Sequence, residues 1–126
     1  MKSIYPAVFY QEQKGYSVEF PDLPGCCTEG DDLVEAIEMA EEALGAYLAS
    51  RLDNDLSIAP ASKIEDLEEK GGFTSYICAD PARFRKKGKS IKKTLTVPEW
   101  LNVEAEKAGI NFSAVLQDAI RVKLGI

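Results

Sequence analysis

The chain of 126 residues contains no histidine. This absence excludes catalysis in which an imidazole takes a proton from serine or cysteine, and it excludes metal sites with a histidine ligand. Cysteine is also scarce, because the three thiols, Cys26, Cys27 and Cys78, have none of the spacing of a zinc site or a redox motif. An enzyme would have to rely on carboxylates, lysines or cysteines, and we expect no catalytic residue, no metal and no cofactor.

Long apolar runs are missing as well. No run approaches the roughly 20 residues that cross a bilayer, and the first residues, MKSIYPAVFY, are typical of a strand and not of a signal peptide. Apolar residues nevertheless make up 45% of the chain, which is enough to build a core. We therefore expect a folded cytoplasmic protein with no membrane partner.

The net charge of −6 conceals two halves of opposite sign. Residues 1–82 hold five basic and 17 acidic residues, whereas residues 83–126 hold ten basic and four acidic residues, so the halves carry −12 and +6. This asymmetry indicates a basic protein partner for the first half and nucleic acid for the second. The polar junction DPARFRKKGKS predicts three parts, namely domains 1–82 and 91–126 and a basic linker over 83–90.

The first half shows the pattern of an α+β domain. SIYPAVFYQE and QKGYSVEF alternate at period two and predict a hairpin, and PDLPGCCTEGD leads to a short third strand around residues 27–28. An amphipathic helix follows over about residues 33–52, with Asp32 as its N-cap. IAPASKIEDLEEKGGF predicts a second, shorter helix with a capping box of Ser62 and Glu65. FTSYICAD predicts a strand that is central or covered on both faces. The predicted order is β-β-β-α-(α)-β.

Two details of the long helix can be predicted from its spacing. The i, i+4, i+7 recurrence places one stripe toward the core, formed by Leu33, Ile37, Ala40, Leu44, Tyr47 or Leu48, and Leu52. Gly45 interrupts the helix at a cost of roughly 1 kcal/mol relative to alanine. We expect this glycine to permit close packing of the helix on the sheet.

The second half predicts a β-α-α unit. In IKKTLTVP, Leu95 and Val97 share one side of a strand, and Lys92, Thr94 and Thr96 share the other. PEWLNVEAEKAG and SAVLQDAIRVKLG predict two helices, with Gly109 ending the first and Ser113 capping the second. A unit of this size is too small to stabilise its own core. We therefore expect two copies to pair their strands into an antiparallel ribbon above four helices.

Such a ribbon fits the major groove of DNA, where its outward side chains reach base edges. The predicted base contacts are Lys92, Thr94 and Thr96. Phosphate contacts are predicted from the basic linker and from the N-terminus of the last helix, namely Lys86, Lys87, Lys89, Asn111, Phe112 and Ser113. The predicted dimer core consists of Leu95, Val97, Trp100, Leu116 and Ile120.

Four acidic residues of the first half, Asp22, Glu29, Asp31 and Asp32, allow more than one interpretation. They can form turns and a helix cap, and they can also contact a basic partner; the two roles are compatible. A carboxylate cluster that holds Mg²⁺ for nuclease chemistry is a third interpretation. Their spacing does not place them around one ion, which disfavours it.

Both halves resemble a known family. KKTLTVPEWL followed by GINFSAVLQDAI resembles the ribbon-helix-helix module of the MetJ/Arc type, in the form found at the C-terminus of HicB-type antitoxins. The hairpin, the PDLPGC turn, TEGD and the long helix are similar to the antitoxin domain of that family. The resemblance implies a partial RNase H-like domain that silences a small basic ribonuclease toxin, HicA. It also implies a dimeric or higher even-numbered assembly whose tail binds operator double-stranded DNA.

Two rival hypotheses remain open at this point. One is a stand-alone ribbon-helix-helix transcriptional regulator whose N-terminal domain senses a small ligand. The other is a residual RNase H-like nuclease, for which Mg²⁺-dependent RNA cleavage would be lost on Asp22→Asn. A neighbouring gene for a small basic protein that contains histidine would favour the antitoxin.

Overall fold

The computed structural model describes residues 1–67, 71–86 and 88–126. These residues form two compact units, Met1–Gly88 and Lys89–Ile126. Lys87 and the predicted C-terminal part of the second helix, residues 68–70, lie outside the described residues. Among the residues described, no helix is long and apolar enough to cross a membrane.

The first unit contains a four-stranded antiparallel sheet. The strands are β1, Ser3–Gln11; β2, Tyr16–Glu19; β3, Cys27–Gly30; and β4, Phe73–Ala79. Their order in the sheet is β3-β2-β1-β4. The predicted hairpin of β1 and β2 is confirmed, with Val8 opposite Glu19 at one end of the register. Its turn requires glycine, because Gly15 has φ +84° and a Cβ there would lie 2.1 Å from the carbonyl oxygen of Gly30.

The core of this unit lies between the sheet and one long helix, α1, Leu33–Asp53. Tyr5, Ala7 and Phe9 of β1 point into it from alternate positions. Ile4 has the opposite parity and is 54% exposed. Phe9 stacks on Phe73 of β4 with ring centroids 5.0 Å apart.

The buried face of α1 is turned relative to the predicted stripe. Ala40, Leu44 and Leu48 are buried as expected, but Leu33, Ile37 and Leu52 are 38–40% exposed. Alanines complete the buried face instead, namely Ala36 and Ala49. Small side chains let the helix approach the sheet closely, and hydrophobic spacing alone does not distinguish this face from the neighbouring one.

Two other predictions about the first unit are wrong. β4 is an edge strand, paired with β1 alone among the described strands, and Phe73 and Tyr76 are 43% and 46% exposed. Within the part of the predicted second helix that the structure describes, there is a single 3-10 turn, Ile64–Asp66, which ends because Leu67 is extended at φ −94° and ψ 135°. The α+β class with the order β-β-β-α-β is confirmed.

The second unit contains two helices, α2, Glu99–Lys107, and α3, Phe112–Leu124. α2 ends in a Schellman motif in which Gly109 has φ +68° and the N–H of Ile110 donates to the carbonyl of Ala105 at 3.1 Å. Residues 89–98 form neither helix nor strand. The predicted ribbon needs the strand of a second copy, and the structure contains a single chain. The ribbon therefore stays a prediction.

Candidate binding surfaces

Asp22 is held by the segment that follows α1. Its carboxylate accepts hydrogen bonds from the backbone N–H of Ser62 at 2.9 Å and from the hydroxyl of Ser62 at 2.5 Å. Ser62 therefore does not cap a helix, as its predicted capping box with Glu65 required, but ties its segment to the turn after β2. Tyr5 donates to the carbonyl of Ala59 at 2.5 Å and holds the same segment.

The other three predicted acids lie along β3 and at the start of α1. Asp32 is the N-cap of α1, since its Oδ1 accepts the N–H of Glu35 at 2.8 Å, which confirms the predicted cap. Glu29 is exposed on β3 opposite Ser17, and Asp31 is exposed between β3 and α1. These two carboxylates face solvent and are free to meet a partner.

The acids are not gathered around one point. Asp22 precedes β3, whereas Asp31 and Asp32 follow it. Within residues 1–67, 71–86 and 88–126, no group of three or more Cys, Asp or Glu side chains could hold a metal ion. The exposed face of α1 carries four further acids, Glu35, Glu38, Glu41 and Glu42. The first unit thus presents acidic side chains on more than one surface.

Two shallow grooves border the segment after α1. One, of about 340 Å³, is lined by Asp22, Tyr47, Arg51 and Ile58, among others. The guanidinium group of Arg51 is already hydrogen-bonded, because its Nε and Nη2 both donate to the carbonyl of Ser57, at 2.9 and 2.7 Å. Arg51 also lies 6.0 Å from the ring centre of Tyr47. The second groove, of about 360 Å³, has a mostly apolar lining that includes Leu48, Leu52 and Pro81.

The cysteines of the first unit differ in environment. Cys26 is buried, and burial together with the neighbouring Cys27 raises its pKa to about 11. Its thiol donates weakly to the carbonyl of Ala43 at 3.7 Å. Cys27 and Cys78 are exposed. Because only the thiolate is a good nucleophile, Cys26 is chemically inert and serves as a small core residue.

The predicted DNA-contacting residues of the second unit are exposed. Lys92, Thr94 and Thr96 lie in the segment without regular structure that precedes α2. Lys86 and Lys89 are exposed as well. At the start of α3, Asn111 is the N-cap and accepts the N–H of Ala114 at 3.0 Å. The predicted capping role of Ser113 is therefore wrong, because α3 begins at Phe112 and already includes Ser113.

The second unit buries almost nothing in the single chain. Ala105 is the one buried apolar residue among those described there. The predicted dimer core lies at the surface, with Leu95 62%, Val97 49%, Trp100 68% and Ile120 48% exposed, and Leu116 only partly buried. Such a concentration of exposed large side chains is unusual for a surface that faces water alone. A patch of this kind is typical of a protein–protein interface.

Comparison with known proteins identifies the family of the chain. Residues 5–119 match the family model described as the HicB-like antitoxin of bacterial toxin–antitoxin systems. The chain belongs to this family. A 14.9 kDa protein from the rep-hol intergenic region of Haemophilus phage HP1 is 31% identical to the HicB-like chain over 100 residues, which cover 78% of it and 75% of the phage protein.

Solved structures show the same relationship. A toxin–antitoxin complex from Streptococcus pneumoniae contains a chain that is 30% identical, with a TM-score of 0.64 and coverage of 98% of the HicB-like chain and 99% of the other. A second neighbour comes from a complex of HicA3 and HicB3, at 27% identity and a TM-score of 0.53. It covers 63% of the HicB-like chain and 100% of its own length.

Proposed function

We propose that this HicB-like chain is an antitoxin that neutralises a HicA-type ribonuclease toxin and represses its own operon. The first unit would bind the toxin, as a partial RNase H-like domain. The second would dimerise as a ribbon-helix-helix module and bind operator DNA, in a homodimer or a higher even-numbered assembly. The assignment rests above all on the family match over residues 5–119 and on its relatives in toxin–antitoxin complexes.

The charge distribution supports the toxin-binding half of the proposal. HicA-type toxins are basic in the family that the sequence resembles, and residues 1–82 carry a net charge of −12. Complementary potentials of this kind accelerate encounter and select partners. Glu29 and Asp31 are the best placed of the predicted toxin contacts, because both are exposed and, unlike Asp22 and Asp32, neither is used as a tie or a helix cap.

This half is tested with a HicA-type toxin, sought first among the genes that neighbour the gene of the chain. The toxin and the tagged antitoxin are coexpressed, and copurification and rescue of growth are measured. Glu29→Gln with Asp31→Asn should weaken binding about tenfold or more. Glu41→Gln with Glu42→Gln removes the same charge from α1 and is the matched control. Equal affinity of the two double variants would remove Glu29 and Asp31 from the interface, and failure of the wild type to bind would overturn the antitoxin function.

The exposed apolar surface of the second unit supports the DNA-binding half. Leu95 and Val97 precede α2 at alternate positions, so pairing with a second copy would turn both toward the helices. The same pairing would turn Lys92, Thr94 and Thr96 outward, where two copies together offer six polar side chains to a major groove. Lys86 and Lys89 would add phosphate contacts, together with Lys87, which lies outside the described residues.

The measurement for this half is operator affinity as a function of salt. Alanine at Lys92, Thr94 and Thr96 should reduce affinity by roughly 1–3 kcal/mol for each side chain that reads a base, while the oligomeric state is unchanged. Lys107→Ala removes one charge from the surface of α2 and serves as the control. Lys89→Ala should flatten the dependence of log affinity on log salt by roughly 0.9 if its ammonium group neutralises one phosphate. Unchanged affinity of the triple variant would rule out the ribbon assignment.

A further inference from the structure

The basic segment, which is the predicted basic linker over residues 83–90, is fixed to the first unit at its start. Residues Pro81–Phe84 form a 3-10 turn whose N-cap is Asp80. The Asp80 carboxylate accepts the N–H of Ala82 at 3.0 Å, which is the main reason that the pKa of Asp80 is lowered. The ring of Phe84 lies directly over Gly45 of α1, where any side chain would collide with it. The four residues of this turn are therefore held against the helix.

The two residues that follow are bound by the last residue of α1. The Asp53 carboxylate accepts a hydrogen bond from Nε of Arg85 and a second one, at 2.9 Å, from the backbone N–H of Lys86. The side chain of Asp53 is only 6% exposed, whereas that of Arg85 is 45% exposed. Residues 80–86 with their two partners on α1, Gly45 and Asp53, are called the clasp below.

The position of Asp53 makes it unfavourable for Arg85 to leave this ion pair for another anion. A carboxylate in the last turn of a helix faces the negative end of the helix dipole, which disfavours its charge. The side chain of Asp53 is also only 6% exposed, so loss of the ion pair with Arg85 would take a charge-assisted hydrogen bond from a carboxylate that water hardly reaches. A DNA phosphate that attracted Arg85 would have to overcome this loss. Lys86 differs, because only its backbone is bound and its side chain is exposed.

We propose that Asp53 is a positioning residue with two effects. It holds Arg85 away from DNA, and it fixes to α1 the basic segment that leads to the DNA-binding unit. This inference rests on the proposed repressor function. It divides the basic segment into a structural arginine, Arg85, and DNA-facing lysines that begin with Lys86. The clasp thereby fixes the backbone as far as Lys86 and sets which basic side chains of the segment can reach phosphates.

The first test measures the clasp without DNA, in the full-length chain. Asp53→Asn keeps the size of the side chain but removes its charge, so the amide of Lys86 should exchange with solvent roughly fivefold faster or more. Trypsin should also cleave faster after Arg85. Asp55→Asn is the matched control, because Asp55 is exposed and carries the same charge, and asparagine tolerates its positive φ of 53°. Equal Lys86 exchange in both variants would overturn the clasp.

The second test measures operator affinity against salt. If Arg85 is released in Asp53→Asn, it can reach a phosphate, and the slope of log affinity against log salt should steepen by roughly 0.9. Asp55→Asn should keep the wild-type slope, and adding Arg85→Ala to Asp53→Asn should abolish the gain. Equal slopes for the two single variants would show that Asp53 does not withhold Arg85. If the wild type bound no operator DNA, the repressor function would fail, and Lys86 exchange would still decide whether the clasp exists.

Discussion

A Cβ atom on Gly45 would lie 2.3 Å from Cε2 of Phe84. Glycine is therefore present in the middle of α1 because an aromatic ring from the 3-10 turn occupies the space of a side chain. The sequence predicted that Gly45 packs closely on the sheet. This prediction is wrong about the partner, because the atoms nearest to the Cβ position belong to Phe84. The contact joins α1, in the acidic half, to the start of the basic segment.

Replacing Gly45 with alanine has an effect whose sign depends on Phe84. Alanine favours a helix by roughly 1 kcal/mol over glycine, but in the wild-type background the collision with the ring should outweigh this gain and lower the free energy of unfolding. With Phe84→Ala the obstacle is gone, and Gly45→Ala should then stabilise the chain by about 1 kcal/mol. Chemical denaturation of the wild type, the two single variants and the double variant measures the four free energies of unfolding. The same sign in both backgrounds would contradict the contact.

The two hydrogen bonds between Asp22 and Ser62 predict a stability effect that an exposed acid does not share. Asp22→Asn replaces a charged acceptor by a neutral one and should lower the free energy of unfolding by about 1–2 kcal/mol. Asp31→Asn changes the charge equally at an exposed position and should stay within about 0.5 kcal/mol of the wild type. Urea denaturation compares them. If Asp22→Asn were as stable as Asp31→Asn, the tie to Ser62 would contribute nothing.

Cap replacement distinguishes the two candidates at the start of α3. Asn111→Ala removes the side-chain acceptor of the Ala114 N–H and should cost roughly 1 kcal/mol. Ser113 is the second residue of α3, and its hydroxyl accepts a hydrogen bond from the side-chain amide of Gln117 at 3.2 Å. Ser113→Ala should therefore be nearly neutral. Thermal unfolding at equal protein concentration, which keeps any oligomerisation constant, provides the measurement; a larger effect for Ser113 would restore the sequence-based assignment.

Thiol titration should separate the three cysteines. At pH 8 the exposed Cys27 and Cys78 should react quickly with a disulfide reagent, while Cys26 reacts slowly because its pKa is raised to about 11 and its thiol is buried. Raising the pH toward 11 increases the thiolate fraction of Cys26, so its rate should rise in the same direction. Cys26→Ala should still show two fast thiols. Three fast thiols in the folded wild type would contradict this environment.

The elements could be predicted from sequence because each depends on neighbouring residues. The period-two alternation in SIYPAVFYQE and QKGYSVEF produced the correct hairpin, and the position of Asp32 before the long amphipathic run produced the correct helix start. IAPASKIEDLEEKGGF misled the prediction, because Ser62 and Glu65 have the spacing of a capping box. In the structure, Ser62 bonds to Asp22, 40 positions away, and a helix does not form over Ile64–Leu67.

The sequence by itself determined the α+β class, the opposite charges of the two halves and the apolar surface of the last 36 residues, since composition and short-range periodicity express these directly. Only the tertiary structure decided that β4 is an edge strand, that alanines face the sheet, and that Gly45 and Asp53 receive Phe84 and Arg85. The reason is physical. Burial and pairing depend on how distant elements pack, and several packings share the same local pattern of apolar and charged residues.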